Sequence, residues 1–304
     1  MTPVVILGPT ASGKSDVAMH VAREGGAQIV AVDAMQVYRG MDIGTAKPSR
    51  ADRDAVAHHC IDLVDPTERF TVTQYKAAAT AALDAIAAAG DRALLVAGTG
   101  LYLTAVIDDL TPPGEWPEVR AQLAAESDVA VLWARLVESD PVTAQRTDRH
   151  NRRRIERALE VTIGSGRPFS SFGPGTGAYP SNGVTQIGIL WPRDVLARRI
   201  EARVHAMMAA GLLAEVRGLH ERRALSREAQ QALGYKELID HLEGRTGFDE
   251  AVAMVVTRTR QFAVRQERWF RRDPRVQWVT VDADPVAEVT PVLRAALQHA
   301  DRRD

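Results

Sequence analysis

The sequence predicts an α/β fold: a core built on a mostly parallel sheet and interrupted by a helical insertion. Three observations predict it. Short β-branched runs alternate with helical stretches through the first hundred residues, which is the pattern of βαβ units. At Thr111-Pro112-Pro113-Gly114-Glu115-Trp116-Pro117 three prolines mark a boundary. A long stretch with little strand signal follows, and a core-like strand then returns at 185–190. The implied organisation is a core of residues 1–114 and 184–304 carrying C-terminal helices, with a helical insertion domain at 115–183.

Taken in order, Val4 to Leu7 reads as a short buried strand and Lys14 to Glu24 as the helix after it. Ala27 to Val32 is a second β-branched run ending at Asp33. An alanine-rich helix from Thr73 to Ala89 stops at Gly90 and leads into the strand Arg92 to Ala97. Glu118 to Ile163 reads as helical, and Ser165 to Gly183 as loop, rich in Gly, Pro and Ser. Thr185 to Leu190 returns to strand, long helices run to residue 272, and a strand at Val276 to Val281 precedes a terminal helix. There are no repeats and no low-complexity tail.

At 304 residues the chain suits one large domain or two small ones, and folding can bury roughly 75% of the unfolded surface. A hydrophobic fraction of 45% and a charged fraction of 25% exclude disordered, collagen-like and small disulfide-scaffold classes. The single Cys60 can form neither an internal disulfide nor a cysteine-based zinc site, which suits a reducing cytoplasm. The N-terminus lacks the basic start and long apolar run of a signal peptide, and no stretch approaches the ~20 apolar residues of a membrane helix. Only Lys14, Lys47, Lys76 and Lys236 are lysines among 38 basic residues. An arginine-rich codon bias accounts for this, and so does binding of phosphate or nucleic acid by the two-pronged guanidinium. Distribution has to decide between them.

Gly8-Pro9-Thr10-Ala11-Ser12-Gly13-Lys14-Ser15 matches the P-loop pattern, between a strand and a helix. Its glycines let backbone amides curl around phosphate oxygens, and the helix N-terminus adds partial positive charge. Lys14 supplies a full charge, and the Ser15 hydroxyl can ligate Mg²⁺ bridging two phosphates. An ATPase would carry an acid at the end of a Walker-B strand, yet Ala93-Leu94-Leu95-Val96-Ala97 runs into Gly98-Thr99-Gly100. The acid stands instead at the end of the second strand, Asp33, where carboxyl ends of parallel strands line the ligand crevice. There Asp33 either orients and deprotonates a nucleophile or caps a turn.

Several blocks then resemble one family. They are Asp33-Ala34-Met35-Gln36-Val37-Tyr38-Arg39, Met41-Asp42-Ile43-Gly44-Thr45-Ala46-Lys47-Pro48, His58-His59-Cys60-Ile61-Asp62 and Gly98-Thr99-Gly100-Leu101-Tyr102. Further along come Arg154-Ile155-Glu156-Arg157-Ala158-Leu159-Glu160-Val161, Gly234-Tyr235-Lys236-Glu237-Leu238, and Arg260-Gln261-Phe262-Ala263 with Arg265-Gln266 and Trp269-Phe270-Arg271. Their order over nearly the whole chain is similar to that of the tRNA dimethylallyltransferases, with Ala34 where the family usually has Ser and Ala97 where it usually has Gly.

The resemblance implies a P-loop NTPase-like core and transfer of a dimethylallyl group from dimethylallyl diphosphate to the N6 amine of adenosine 37, beside the tRNA anticodon. It implies that Gly8 and Thr10, Ala11, Ser12, Gly13, Lys14 and Ser15 bind the donor, with Mg²⁺ on Ser15. Asp33, Ala34, Met35, Gln36 and Thr99 would meet the flipped adenine, with Asp33, Lys14 and Thr99 as catalytic residues. Arg120 and the segment Arg153, Arg154, Ile155, Glu156 and Arg157 would contact the tRNA. Arg199 and Arg203, one turn apart, are candidates for the diphosphate, though an ordinary exposed helix face explains the pair equally well. A cytoplasmic monomer is expected.

Arginine distribution supports a nucleic-acid track. Residues 146–157 hold six arginines, and Arg258, Arg265, Arg268 and Arg272 share one helical face beside Val255, Phe262 and Trp269. His58 and His59 point to different faces and suit packing or loop hydrogen bonds, and Trp116 either packs or stacks on a base. The competing readings are a P-loop kinase acting on a nucleoside-like acceptor with ATP as donor, a prenyltransferase for free adenine nucleotides, and a non-catalytic RNA-binding protein.

Overall fold

The structure, a computed structural model, describes residues 2–173 and 175–300. The chain divides into two compact units, with boundaries after Asp108 and after Ala178.

In the larger unit six strands form one sheet: β1 (Val4–Leu7), β2 (Ala27–Val32), β3 (His58–His59), β4 (Arg92–Ala97), β5 (Thr185–Leu190) and β6 (Val276–Thr280). Their order is β3-β2-β4-β1-β5-β6, and every neighbouring pair is parallel. β1 is apolar and buried throughout because both its faces are covered. Val5 and Leu7 join a core with Tyr38, Met41, Tyr75 and Tyr235, while Val4 and Ile6 join another with Val17, Val21, Ile200 and Leu293. That alternation is the two-residue period of a strand.

Register matters most for function. Leu7 pairs with Ala97, and Val32 pairs with the same Ala97 on its other side. The chains leaving β1, β4 and β2 therefore start level with one another, at Gly8, Gly98 and Asp33. The Gly98 and Thr99 amides both donate to the Val32 carbonyl at 3.1 Å, which fixes the second junction.

The alanine-rich helix spans Val72–Ala88 and starts with a capping box between Thr71 and Gln74. The long helical stretch after β5 resolves into Arg193–Ala209, Leu212–Glu221, Arg227–Gln230, Tyr235–Leu242 and Phe248–Phe270, and Pro285–Ala300 closes the described chain. Among the described residues no helix is long and apolar enough to cross a membrane.

The smaller unit is helical, but 118–163 is four helices and not one: Pro117–Ala125, Val129–Ser139, Pro141–Gln145 and Arg152–Ser165. Its core gathers Leu123, Leu132, Leu136, Ile155 and Leu159. Two buried carboxylates organise it. Asp140 caps the third helix through the Thr143 amide at 3.0 Å and also accepts the Ser170 amide at 2.8 Å. Glu160 accepts the Trp116 amide at 2.8 Å and both prongs of Arg120 at 3.0 and 2.9 Å.

The unit boundaries fall at 108/109 and 178/179, where the proline and glycine signals put them at 114/115 and 183/184. Charge pairing explains the second shift. Arg275 clasps Asp108 at 2.6 Å and the Pro180 carbonyl at 2.7 Å, and Asn182 donates to Asp108 at 2.8 Å, so 179–183 belongs with the sheet.

Gly44 shows how tightly the loop 42–46 is seated. A Cβ there would lie 2.4 Å from Tyr235 Cε2 and 2.9 Å from Leu212 Cδ1. Gly44→Ala should lower unfolding stability by roughly 1–3 kcal/mol through overpacking, read as a shift in urea midpoint. A wild-type midpoint would refute that packing argument.

Candidate active site

The P-loop leaves β1 and ends at the helix Lys14–Gly25, whose N-cap Gly13 has φ 89°, a left-handed conformation natural to glycine. Ala11 also has a positive φ, 62°. Its backbone is held from outside by three side chains. Trp191 Nε1 donates to the Ser12 carbonyl at 2.9 Å, Arg199 Nε to the Ala11 carbonyl at 2.9 Å, and the Thr10 amide donates to Gln266 Oε1 at 2.9 Å. Pro285, opening the last helix, covers Gly13 so closely that a Cβ there would meet its ring at 2.5 Å.

This bracing divides the expected donor set between the cavity wall and the support behind it. Arg199 lies over the Trp191 ring at 4.5 Å and supports the loop from behind, while Arg203 is the one of the pair that lines the cavity. Gly8 and Ser12 are buried behind the loop and not on the cavity wall, whereas Thr10, Ala11, Gly13, Lys14 and Ser15 line it. Burial pulls the Lys14 ammonium down to about 8, with Arg203 acting the same way against the opposing pull of Asp33 and Asp16. Arg203 is likewise lowered by burial. The two desolvated cations line one cavity, and Lys14 Nζ donates to the Pro9 carbonyl at 3.4 Å.

Across the cavity stands Asp33. Both roles considered for it are compatible, because they use different oxygens. Oδ1 caps the turn, accepting the amides of Met35 at 2.8 Å and Gln36 at 3.3 Å. Oδ2 faces Gly98, 3.3 Å from where a Cβ on that glycine would sit; the same point lies 3.5 Å from Gln266 Nε2 and 3.6 Å from Lys14 Cε. A Cβ there would sit slightly tight against Oδ2 and at ordinary contact distance from the other two groups, so the three converge closely around this glycine. Thr99 Oγ1 accepts the Ala34 amide at 3.1 Å, tying the two strand-end loops together.

Gln36 is less free than expected. Its amide nitrogen donates to the carbonyls of Thr45 at 3.1 Å and Ala46 at 3.3 Å, which leaves Oε1 for any ligand. The loop it touches is pinned by Glu215, which accepts the amides of Asp42, Ile43 and Gly44 at 2.9, 2.7 and 3.1 Å. Lys47, almost fully buried, bridges Asp42 at 2.8 Å and Asp62 at 2.5 Å. Sequence reasoning missed the roles of Glu215, Trp191 and Gln266. For Gln266 a signal existed: it shares a helical face with Phe262 and Trp269.

These groups enclose a cavity of about 1220 Å³. Besides the P-loop, Asp33 to Gln36 and Gly98 to Leu101, it is lined by Met207, Leu212, Leu233, Val255 and Phe262, so an anion cradle and an apolar wall share one space. No cluster of three or more His, Cys, Asp or Glu that could hold a metal exists among the described residues. His58 and His59 bond to the Val56 carbonyl at 2.7 Å and to Gln28 at 2.6 Å, as packing residues do.

In the smaller unit the expected RNA-contact residues separate into two groups. Ile155 is fully buried in the helical core and cannot touch a ligand. Arg157 donates to the Pro113 carbonyl at 2.8 Å and pairs with Glu160 at 3.1 Å, and Arg120 is the bidentate partner of the same carboxylate. Burial pushes the Glu160 carboxyl up, but the bonds from Arg120, the Trp116 amide and Arg157 hold it below the usual range. Glu156 pairs with Arg152 at 2.7 Å. Arg153 and Arg154 are exposed. Trp116 packs on Gly164, where a Cβ would come within 2.1 Å of its ring, so stacking on a base from that face is closed. On the helix Phe248–Phe270, Arg258 is drawn from the basic stripe to the buried Glu237 at 2.6 Å, and just beyond the helix Arg272 lies over Trp269 at 4.2 Å.

The fold and site define a P-loop α/β protein whose phosphate cradle faces a strand-end carboxylate, with no acid after β4. Comparison with known proteins narrows the class. The IPP transferase family matches residues 36–273, and the Isopentenyl transferase family matches residues 1–62. The chain is 47% identical to a tRNA dimethylallyltransferase of Kineococcus radiotolerans over 96% of its own length and 98% of the relative's. It is 44% identical to a tRNA dimethylallyltransferase of Moorella thermoacetica, over 95% and 92% of the two chains. The crystal structure of a tRNA isopentenylpyrophosphate transferase from Bacillus halodurans superposes with a TM-score of 0.72 at 35% identity, covering 99% and 98%. The chain belongs to the IPP transferase family.

Proposed function

We propose that this protein transfers a dimethylallyl group from dimethylallyl diphosphate to the N6 amine of adenosine 37 in tRNA, releasing diphosphate, and that it works as a cytoplasmic monomer. The observation that carries this reading is the convergence of Lys14, Asp33 Oδ2 and Gln266 on Gly98 inside one cavity, between an anion cradle and an apolar wall. The donor's diphosphate occupies the cradle against Lys14 and Arg203, and its five-carbon chain lies on the apolar side. The nucleotide is extruded from the anticodon loop into the same cavity. The amine's nitrogen forms the new bond to carbon as the carbon–oxygen bond breaks. The bonding pair leaves with the diphosphate, and the amine's proton passes to Asp33 Oδ2.

Mg²⁺ fits this site in one way. Ser15 is exposed on the cavity wall, and with no carboxylate cluster beside it the cation would take its other ligands from diphosphate and water, as Mg²⁺ commonly does. It would supply charge to the leaving group. The kinase reading would want an acid after β4, and Gly98-Thr99-Gly100 offers none.

The reading is tested by incubating the protein with radiolabelled dimethylallyl diphosphate and unmodified tRNA, then digesting to nucleosides. Label in N6-(dimethylallyl)adenosine supports it, and label absent from RNA refutes it. For the RNA surface, the exposed pair is the informative one. Replacing Arg153 and Arg154 with glutamine should flatten the slope of log affinity against log salt by roughly 1–2 and leave pyrophosphate binding unchanged. An unaltered slope would return both arginines to the solvated surface.

A further inference from the structure

The hydrogen-bond ladder between β1 and β4 ends at Leu7 and Ala97. Beyond it the two chains diverge, one into the P-loop and the other towards Thr99. Gln266 spans that gap. Its Oε1 accepts the Thr10 amide at 2.9 Å and its Nε2 donates to the Gly98 carbonyl at 2.7 Å. A flipped amide would set nitrogen against N–H and oxygen against a carbonyl, so only one orientation satisfies both ends. The side chain thus acts as a further rung between strands that no longer pair.

Its own support is firm. Gln266 is 7% exposed, and Ala263 and Phe270 anchor the same face of its helix, both buried. The two partners belong to opposite halves of the site: Thr10 to the donor cradle, and Gly98 to the loop that faces Asp33 and carries Thr99. Gln266 Nε2 is also one of the three groups that converge on Gly98.

Resting on the prenyl-transfer reading, we infer that Gln266 is a positioning residue: it sets the separation between the phosphate cradle and the acceptor carboxylate. It neither takes a proton nor holds a substrate. Displacement at carbon requires the amine to stand about 3–3.5 Å from its target, and a misplacement of about 1 Å costs on the order of 10²-fold in rate. Loss of the rung should therefore appear in turnover and not in the affinity of either half-site.

Two variants test this. Gln266→Met keeps length and volume but bonds to neither backbone, and Gln266→Glu keeps an acceptor for Thr10 while losing the donor to Gly98. For both, kcat should fall roughly 10- to 100-fold. Affinity for an anticodon stem-loop RNA should stay within about threefold in both, and affinity for inorganic pyrophosphate within about threefold in Gln266→Met, which adds no charge beside Lys14. Hydrogen exchange at the Thr10 amide should quicken in Gln266→Met and stay slow in Gln266→Glu. Unchanged kcat in either folded variant overturns the inference. So does a loss of pyrophosphate affinity in Gln266→Met that matches the loss of turnover, which would make Gln266 part of the cradle alone. Should Gln266→Met not fold, Gln266→Glu decides by turnover and RNA affinity. Should the wild-type protein transfer no prenyl group, the functional reading fails, while exchange at Thr10 still judges the bridge.

Discussion

Asp33→Asn should lower turnover by roughly 10²–10⁴, the usual range for a general base, while affinity for tRNA and donor changes little. The geometry makes this substitution cleaner than alanine. Asparagine can keep its oxygen on the amides of Met35 and Gln36, preserving the turn that Oδ1 now caps. Its NH₂ then stands where Oδ2 faces Gly98, and a donor replaces the acceptor at the point where the amine's proton must go. Adenine's exocyclic nitrogen is a poor nucleophile because its lone pair is shared with the ring, so loss of that acceptor falls on the bond-forming step. Single-turnover rates at saturating substrates measure it. Near-wild-type turnover would mean that Asp33 only orients the base and that water or another group removes the proton.

Lys14→Ala should slow transfer by roughly 10²–10³, because charge grows on the leaving diphosphate as the carbon–oxygen bond breaks. A pH signature separates this from simple loss of packing. The buried ammonium has been lowered from 10.5 to about 8, and a bound diphosphate favours its protonated form. Pyrophosphate binding should therefore take up a proton, and affinity should fall as pH rises above about 8. Lys14's own contribution to the stability of the free protein should move the other way. Between about 8 and 10.5 the unfolded chain holds more protons on this lysine than the folded one, so its contribution rises across that window, against the opposite contribution of Cys60 and the tyrosines whose folded pKa values burial raises. Lys14→Ala should remove both contributions, and titration calorimetry in buffers of different ionisation heat would detect the proton. An affinity for pyrophosphate that stays flat to pH 10 in the wild type would refute the assignment.

The residues that could be read from sequence are those whose meaning is local. Five of the six strands announce themselves as short apolar runs, but β3 is only His58 and His59, too short and too polar to stand out. The helix Arg50–Ala55 buries none of its residues, so no periodic apolar signal marked it. The P-loop and Asp33 were legible because phosphate binding and strand-end acids are written in consecutive residues. The braces were not. Trp191, Arg199 and Gln266 reach Ser12, Ala11 and Thr10 across 179, 188 and 256 residues of sequence. The same blindness applied to charge. The sequence did not show that Arg120 and Arg157 share the buried Glu160 as a partner, and helical spacing alone did not reveal that Ile155 faces the core.

The placement of those braces has a consequence for synthesis. The phosphate loop emerges from the ribosome well before its supports, which come from Trp191 onwards, with Gln266 and then Pro285 over Gly13 the last of them. β1 cannot complete its pairing until β5 has been made, because β4 and β5 flank it. Contacts of such long sequence separation form late and slowly. The nascent chain therefore carries the phosphate motif long before its loop is fully braced. A chain stopped before residue 266 keeps the P-loop sequence and the braces Trp191 and Arg199 but lacks Gln266 and Pro285, so the loop takes its finished form only after both have been made.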